Sequence, residues 1–171
     1  MIAAIGQDSH RFLPDGEGEC LLGGVRFPGT PGLEANSDGD VLLHAVTNAV
    51  SGITGRNILG PVADRMCASG ITDSREYLYE ALADLDRAGL RPVHLSVSIE
   101  CARPKIMPKL EEMKQSLAGI LGMETGSIGI TATTGEGLTD FGRGRGISVF
   151  CILTAGPAAE GRGLRRNYGQ E

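Results

Sequence analysis

One stretch of the chain alternates strictly between apolar and polar residues, and this pattern predicts a β-strand that is buried on one face. The alternating residues are Leu95, Ser96, Val97, Ser98, Ile99, Glu100 and Cys101. Successive side chains of a strand point to opposite faces, so the apolar set lies on one face of a sheet and the polar set on the other. We therefore expect the chain to build a sheet and to cover one face of it.

Other segments predict the elements around this strand. Short apolar stretches predict further strands at 1–7, 21–27, 128–134 and 147–154, and Gly23 and Gly24 break the second of these. Apolar residues at helical spacing follow Ser37, Asp73 and Pro108, whereas 56–72 is expected to be irregular. Helices between strands, with two strands at the end, favour an α+β (two-layer α/β) fold in which a mixed sheet carries helices on one face.

Polar side chains indicate where the helices begin. Ser37 is expected to cap the first helix, with Asp38 and Asp40 in its first turn, where the helix dipole favours carboxylates. Asp73 and Glu76 have the spacing of a capping box ahead of the second helix.

The length of 171 residues corresponds to one domain with a sizeable core. We expect this domain to span 1–155. The polar and aperiodic segment 156–171 is expected to be a flexible C-terminal tail. Gly accounts for 26 of the 171 residues, roughly twice its average usage, which predicts sharp turns and close approaches of the backbone.

Charge and hydropathy exclude several classes of partner. The formal net charge is −5, and nucleic-acid binding needs a basic face, so no nucleic-acid partner is expected. No apolar run is long enough to span a membrane, and the N-terminus is too polar for a signal peptide, so we expect a cytoplasmic protein. The four cysteines are widely spaced, which is typical of reduced thiols. An anionic substrate would need bound cations or focused Lys and Arg side chains.

Asp8 and His10 form a candidate metal site. Residues two apart in a strand point the same way, so the carboxylate and the imidazole project together. Three nitrogen and oxygen ligands with an open position are typical of catalytic Zn²⁺, and His44 is the strongest candidate for the third ligand. The alternative is a surface pair with no metal. His94 has no carboxylate beside it and is interpreted as structural.

Asp38 and Asp40 have two interpretations. Both carboxylates are suited to capping the helix and its loop. Alternatively, one of them holds His44 in the tautomer that a metal requires.

Two later segments are suited to binding a nucleotide or phosphate. Thr133-Thr134-Gly135-Glu136 follows a strand, and hydroxyls with glycine amides suit a phosphate, while Glu136 suits a Mg²⁺ ion that bridges phosphate oxygens. The alternating Arg and Gly residues of 142–146 continue this segment, and a plain glycine-rich hairpin is the alternative. Arg103–Pro108 presents backbone groups to a flat base, or is merely a loop between strand and helix.

The combined pattern resembles a known family. Its motifs, in order, are Gln7-Asp8-Ser9-His10, Ser37-Asp38-Gly39-Asp40-Val41-Leu42-Leu43-His44-Ala45, Arg103-Pro104-Lys105 and Thr133-Thr134-Gly135-Glu136. Over about 2–155 the chain is similar to the 2-C-methyl-D-erythritol 2,4-cyclodiphosphate synthase family. Glu34-Ala35-Asn36-Ser37-Asp38 and Gly135-Glu136-Gly137-Leu138-Thr139 resemble its variant in chlamydia-like bacteria.

The resemblance implies a chorismate-mutase-like homotrimer with active sites at the subunit interfaces. It implies a phosphorus–oxygen lyase of non-mevalonate isoprenoid biosynthesis. The expected reaction converts 4-diphosphocytidyl-2-C-methyl-D-erythritol 2-phosphate to the 2,4-cyclodiphosphate and CMP, by attack of the 2-phosphate on the β-phosphorus.

The resemblance also assigns residues. Asp8, His10 and His44 would bind one Zn²⁺ per subunit, and Glu136 would bind Mg²⁺ or Mn²⁺. Thr134 and Asn36 are the expected catalytic residues. The expected substrate-binding residues are Asp8, His10, Asn36, Ser37, Ile58, Gly60, Asp64, Cys101, Pro104, Lys105, Ile106, Met107, Thr133, Thr134, Gly135, Glu136 and Arg143. Within this set, 101–107 corresponds to the cytidine pocket, and Thr133 and Thr134 to the diphosphate contacts.

The chain departs from the family pattern at three places. Asn36 stands where most members have a histidine, and an asparagine keeps hydrogen bonding but is never cationic. In the substrate loop, 57–64, only Ile58, Gly60 and Asp64 correspond. Arg145 stands where an acidic residue is common, beside the trimer-axis cavity that Arg143 would line.

Two other functions are compatible with the same residues. A metal-dependent nucleotide phosphohydrolase would use water as the attacking group. A non-catalytic trimer that binds nucleotides or isoprenoid phosphates would have lost activity with the change at Asn36. The presence of Asp8, His10, His44 and Glu136 together argues against the second alternative.

Overall fold

The computed structural model describes residues 1–158 and contains six strands and four helices. The strands are β1 (Ile2–Arg11), β2 (Cys20–Leu22), β3 (Val25–Phe27), β4 (Leu90–Glu100), β5 (Ile128–Thr133) and β6 (Gly146–Pro157). The α-helices are α1 (Val41–Thr54), α2 (Pro61–Ala68), α3 (Ser74–Arg87) and α4 (Leu110–Leu121). Among the described residues, no helix is both long and apolar enough to cross a membrane.

Four strands form a mixed sheet in the order β1-β6-β4-β5. Strand β6 runs antiparallel to both β1 and β4, whereas β4 and β5 are parallel. The register places Ser9, Ser148, Glu100 and Thr133 in one row across all four strands. The ends of β1, β4 and β5 that carry the sequence motifs therefore lie at the same end of the sheet.

Helices cover one face of this sheet, as the sequence predicts. Alternate residues of β4 and β6, such as Val97 and Val149, are buried beneath the helices. Helix α1 packs on β1 and β6, and α3 packs on α1 and β4. Within residues 1–158 no helix covers the opposite face, which exposes apolar side chains, including Ile5, Phe150 and Ile152. The predicted α+β architecture, a mixed sheet with helices on one face, is confirmed.

The segment 56–72, predicted to be irregular, contains helix α2. Pro61 begins this helix, where its missing N–H costs nothing. The helix has eight residues and none of them is fully buried, although Val62, Ala63 and Met66 pack against the core. The prediction was wrong because so short a helix shows too little of its periodic pattern to be detected in the sequence.

The predicted strand 21–27 is a hairpin of β2 and β3. Gly23 and Gly24 form its turn with φ values of 61° and 77°, a backbone conformation that glycine adopts without strain. Helix α1 is capped by Asp40, whose carboxylate accepts a hydrogen bond from the Leu43 N–H, and Ser37 does not cap it. Because Asp40 is the cap, the first turn of α1 contains no acidic residue.

Two strands are longer than the sequence patterns indicate. Strand β4 begins at Leu90, so His94 lies inside it, next to an irregularity in its pairing with β6. Strand β6 continues to Pro157, and its last residues pair with Leu90 and Arg91. Residues 156 and 157 of the predicted tail therefore belong to β6, and its residues 159–171 lie outside the described part of the chain.

Candidate metal centre and substrate cavity

A close approach between β1 and α1 builds the candidate metal centre. Asp8 and His10 follow Gly6 on the same face of β1, two residues apart. A Cβ atom at Gly6 would lie 1.9 Å from the Ala45 carbonyl oxygen and 2.6 Å from the Ala49 backbone nitrogen. Because Gly6 has no side chain, α1 lies directly against β1 and brings His44 to the two residues of the strand.

Three side chains converge at this contact. The His44 Nδ1 atom lies 3.0 Å from Asp8 Oδ2 and 3.2 Å from His10 Nε2. The His10 Nε2 atom lies 3.0 Å from the same Asp8 oxygen. Asp8 and His10 are half-buried, and His44 is buried.

Charge within the cluster stabilises the ionised forms of Asp8 and His10. Burial alone would raise the pKa of the Asp8 carboxyl, but hydrogen bonds with His10 and His44 outweigh it and hold that pKa well below its usual range. The hydrogen bond to Asp8 raises the pKa of His10 above its ordinary value of 6.5, although burial opposes this effect. Asp8 is therefore an ionised carboxylate at neutral pH, as a metal ligand must be.

The donor set of the cluster fits a divalent metal. One ligand atom from each of Asp8, His10 and His44 lies within 4.8 Å of the others. Two imidazole nitrogens and one carboxylate oxygen are one of the ligand sets of catalytic zinc sites, which keep a fourth position open for water or substrate. Within residues 1–158 these three form the candidate metal cluster.

The ring of His44 is held from behind by hydroxyl groups. Its Nε2 atom lies 2.9 Å from Ser74 Oγ and 3.2 Å from Ser37 Oγ. Asp38 accepts hydrogen bonds from both the hydroxyl and the backbone N–H of Ser74. Ser74 is not among the residues predicted from the sequence, because its position beside Asp73 indicates only the start of a helix.

Asp40 has a different role from Asp38. Its fully buried carboxylate accepts hydrogen bonds from the backbone N–H groups of Gly23, Gly24 and Leu43. Burial raises the pKa of Asp40, although these three donors favour the ionised form. The carboxylate fastens the β2–β3 hairpin to the start of α1, so Asp40 is the cap and Asp38 is the residue connected to His44.

A cavity of about 440 Å³ opens beside the metal centre. The predicted site residues that line it are Asp8, His10, Asn36, Ser37, His44, Gly60 and Asp64. Tyr77 and Cys67 also line it and were not predicted, and the Cys67 thiol donates a hydrogen bond to the Asn36 carbonyl oxygen. Helix α2 therefore forms one wall of the cavity.

Ile58 is the exception among the predicted residues of 57–64. Its side chain is fully buried in the hydrophobic core, and its backbone N–H donates to Ser51 Oγ. The side chain packs into the core and therefore does not reach the cavity.

The predicted nucleotide-binding residues lie elsewhere on the same chain. Cys101, Pro104 and Ile106 are buried, whereas Lys105 and Met107 are exposed in the loop after β4. Burial raises the pKa of the Cys101 thiol to about 11, so this residue is a neutral packing group. None of 101–107 lines the cavity beside Asp8.

Thr133, Thr134, Gly135 and Glu136 follow β5, at the far edge of the sheet from β1. Three inter-strand spacings of roughly 4.8 Å separate these outer strands, about 14 Å in all. Within one chain, the metal cluster and the predicted phosphate loop are therefore not brought together.

Glu136 has an unusual backbone conformation. Its φ of 52° makes it the one residue other than glycine with a positive φ among residues 1–158, and it lies between two glycines that also have positive φ. A side-chain-bearing residue in this region is strained by about 1–2 kcal/mol, and such strain is concentrated at functional sites. The conformation supports a functional role for the exposed Glu136 carboxylate.

Arg143 and Arg145 share one acidic partner. Both guanidinium groups lie near Asp140 Oδ1, at 3.8 Å and 3.0 Å respectively. Both side chains are more than half exposed, so these ion pairs contribute little to stability. Neither arginine lines the cavity beside Asp8.

Comparison with known proteins identifies relatives over almost the whole described chain. The 2-C-methyl-D-erythritol 2,4-cyclodiphosphate synthase of Chlamydia abortus is 53% identical over 152 residues, which are 88% of this chain and 86% of that protein. A solved 2C-methyl-D-erythritol-2,4-cyclodiphosphate synthase in its CDP-bound form superposes with a TM-score of 0.79 at 26% identity, covering 91% of this chain and all of that one.

A bifunctional protein shows the same fold in part of its length. The IspDF protein of Campylobacter jejuni superposes with a TM-score of 0.77 at 29% identity over 90% of this chain, but this chain spans only 41% of that protein. The model of the YgbB family matches residues 1–155. With this match and the identity to the chlamydial synthase, the chain belongs to the YgbB family.

Proposed function

We propose that this chain is a 2-C-methyl-D-erythritol 2,4-cyclodiphosphate synthase of non-mevalonate isoprenoid biosynthesis. The observation that carries the proposal is the conjunction of 53% identity to the chlamydial synthase with the convergence of Asp8, His10 and His44 beside an open cavity. A binding protein that had lost catalytic activity would not be expected to retain two histidines and a carboxylate so close together.

The reaction needs no strong protein base. In 4-diphosphocytidyl-2-C-methyl-D-erythritol 2-phosphate, an oxygen of the ionised 2-phosphate forms a bond to the β-phosphorus. The bond from that phosphorus to the bridging oxygen breaks, and its electron pair leaves with CMP. The protein has to hold the substrate folded for in-line attack and to neutralise charge.

Asp8, His10 and His44 would hold one Zn²⁺ ion at the head of the cavity. Zinc bound there supplies polarisation of the β-phosphate. Asn36, Ser37 and the backbone of Gly60 line the same cavity, where their N–H and O–H groups bind and orient the phosphates and the erythritol hydroxyls. Asp64, on α2, accepts hydrogen bonds from those hydroxyls.

Glu136 is suited to a second, harder cation. Mg²⁺ and Mn²⁺ are commonly held by one or two carboxylates together with substrate phosphates, and the strained, exposed Glu136 presents one carboxylate. Magnesium bound there would neutralise negative charge on the diphosphate. Thr134 donates a hydrogen bond as charge moves to the leaving CMP, and Thr133 and Gly135 orient the diphosphate.

The cytidine is assigned to 101–107. Lys105 and Met107 are exposed in this loop, whereas Pro104 is buried, so the loop offers an apolar side chain for the base and one cation for a phosphate. Cys101 supports the loop from below, since its thiol lies 3.7 Å from the Pro104 carbonyl oxygen.

We infer that the complete site requires a second copy of the chain. The metal cluster lies on β1 and α1, and the predicted phosphate loop at 133–136 follows β5. Because β1 and β5 are the two outer strands of the sheet, the two sites are too far apart for one chain to enclose a diphosphate between them. The helix-free sheet face, with Ile5 65%, Phe150 42% and Ile152 51% exposed, supplies an apolar contact surface. A homotrimer with active sites between subunits accounts for both features, and Arg143 would then lie near its axis.

Phosphorus NMR of the reaction products tests the function. Incubation of the cytidyl substrate with the protein, Zn²⁺ and Mg²⁺ is expected to give a cyclic diphosphate and CMP. Linear phosphate products would instead indicate the metal-dependent phosphohydrolase, and unchanged substrate would indicate a binding protein.

All four cysteines are free thiols, which supports a cytoplasmic location for the enzyme.

A further inference from the structure

We propose that Ser74 and Asp38 act together as positioning residues that orient His44 for metal binding. The Asp38 carboxylate accepts a hydrogen bond from the Ser74 hydroxyl, and Ser74 Oγ in turn accepts a hydrogen bond from the Nε2–H group of His44. The inference rests on the proposed function, because it concerns how His44 is oriented in the proposed metal centre. It assigns a role to two residues that are not themselves metal ligands.

The two nitrogens of His44 face different surroundings. Nδ1 faces Asp8 and His10, at 3.0 Å and 3.2 Å, and is the atom directed at the metal position. Nε2 faces away from the cluster, toward Ser74 Oγ at 2.9 Å. For metal binding, Nδ1 must present its lone pair and the proton must lie on Nε2.

The hydrogen bonds around Ser74 select that tautomer. The Asp38 carboxylate only accepts hydrogen bonds, and one of its oxygens accepts a hydrogen bond from the Ser74 hydroxyl. Because the single hydroxyl proton of Ser74 is directed at Asp38, Ser74 Oγ presents only lone pairs to His44. The Nε2 atom must therefore carry a proton, and the lone pair of the neutral ring lies on Nδ1.

The fold fixes this arrangement firmly. Ser74 is the first residue of α3 and is fully buried. Its backbone N–H donates to the second Asp38 oxygen at 3.1 Å, and the Asp38 N–H donates to the Thr72 carbonyl oxygen at 2.9 Å. The hydroxyl is therefore held in place by the backbone on both sides.

Asp73 leaves Ser74 free for this role, because it already caps α3. The Asp73 carboxylate accepts the Arg75 N–H at 2.9 Å. The Ser74 hydroxyl is thus not needed to begin the helix, and its burial against His44 is not explained by capping.

Ser37 contributes less to the orientation of His44. Its hydroxyl lies 3.2 Å from Nε2, longer than the contact of Ser74, and it accepts the Gly39 N–H at 3.3 Å. Ser37 also lines the substrate cavity, so its replacement affects binding of substrate as well. Replacement of Ser74 or Asp38 tests the orientation of His44 without removing a contact to substrate, because neither residue lines that cavity.

The test compares zinc affinity and ring tautomer in Ser74→Ala, Asp38→Asn and a matched control. The control is Thr47→Val, which removes another fully buried hydroxyl from the helix that carries His44, where Thr47 donates to the Leu43 carbonyl oxygen. Zinc dissociation constants are measured by competition with a chelator. The tautomer is read from ¹⁵N spectra of histidine-labelled protein, both metal-free and zinc-loaded, and thermal unfolding reports the fold of each variant.

Ser74→Ala is expected to weaken zinc binding 10- to 100-fold, as loss of such outer partners does in other metal sites. In the metal-free wild type, Nε2 of His44 is expected to carry a proton. In Ser74→Ala this proton is expected to shift toward Nδ1, where the Asp8 carboxylate accepts its hydrogen bond. Asp38→Asn offers one oxygen in place of two and is expected to shift both readouts in the same direction, and Thr47→Val is expected to shift neither. If Ser74→Ala does not fold, Asp38→Asn decides the question with the same readouts.

Zinc affinity within twofold of the control, together with an unchanged tautomer, would overturn the proposal. Neither readout involves turnover. A chain that forms no cyclic product but shows these shifts would contradict the proposed function and support the roles of Ser74 and Asp38. Cyclic product with unshifted readouts would do the opposite.

Discussion

Gly6 lies directly against the Ala45 carbonyl, so close that a Cβ atom on Gly6 would be 1.9 Å from that oxygen. Ala45 is the residue after His44, and Gly6 is two residues before Asp8. The contact between strand and helix therefore sets the separation between the histidine of α1 and the two ligands of β1.

Gly6→Ala is expected to displace α1 from β1 and to disrupt both folding and metal binding. The obstructing atoms are backbone atoms, which cannot rotate away, so the loss in free energy of unfolding should be at the upper end for overpacking, about 3 kcal/mol. Chemical denaturation and zinc titration measure the two effects. Gly129→Ala on β5 is the control, because its Cβ would meet nothing within 4 Å. Equal behaviour of the two variants would contradict this account of the contact.

His44→Ala is expected to lose zinc and nearly all turnover. The variant leaves two ligands, Asp8 and His10, where a stable zinc site in a protein has three or four. Metal analysis after gel filtration, followed by the product assay, measures the loss. His94→Ala controls for removal of a histidine and should retain the metal, since His94 lies outside the cluster on β4. Retention of both zinc and activity in His44→Ala would show that the ligand assignment is wrong.

The sequence predicted the parts of the site that depend on local spacing. Asp8 and His10 are two residues apart on a strand, so their common direction follows from strand geometry alone. His44 came from its acidic, turn-forming surroundings, and the family from four ordered motifs. The mixed sheet with helices on one face followed from alternation at 95–101 and from the order of the elements.

The remaining features depend on contacts between distant segments. Ser74 is 30 residues from His44, and nothing in the sequence around Asp73 distinguishes a serine that contacts an imidazole from one that begins a helix. Burial of Ile58 and the start of α2 at Pro61 depend on how 56–68 packs on the core. The role of Gly6 is visible only once α1 lies on β1.

Asn36→His is expected to leave turnover similar or higher. Asn36 is exposed and lines the cavity beside the metal cluster, so an imidazole has room there and can add positive charge near the phosphates. Steady-state kcat and KM of the two proteins measure the effect. A fall in kcat of tenfold or more would mean that the asparagine amide itself has a role in the reaction.

Zinc affinity is expected to fall steeply as pH decreases from 8 to 6. The hydrogen bond with Asp8 raises the pKa of His10 above 6.5, so the ring holds a proton that competes with zinc already near neutral pH. In the metal-free protein, the contribution of His10 to stability changes with pH in the opposite direction. The contribution of His10 to stability is complete below 6.5 and is lost as pH rises through the raised pKa, while that of Asp8 is present above 3.8 and is lost at lower pH.

Thermal unfolding with chelator and with zinc, at pH 6, 7 and 8, separates these effects. The stabilisation by zinc should increase with pH, and the metal-free protein should lose the contribution of His10 as pH rises through the raised pKa of that residue. His10→Gln removes one competing proton together with a ligand and should give weaker stabilisation with a shallower dependence on pH. A zinc effect of constant size in the wild type would contradict the raised pKa of His10.

Glu136→Gln is expected to lower magnesium-dependent turnover at least tenfold and to raise the magnesium concentration needed for half-maximal rate. The change keeps the shape and the strained backbone but removes the charge, so the fold should be unaffected and the unfolding midpoint nearly unchanged. Zinc affinity should also be unchanged, because Glu136 follows β5 and is not part of the cluster on β1 and α1. Glu17→Gln, at another exposed position, controls for the loss of one acidic charge. Magnesium dependence identical to that control would remove Glu136 from the proposed second metal site.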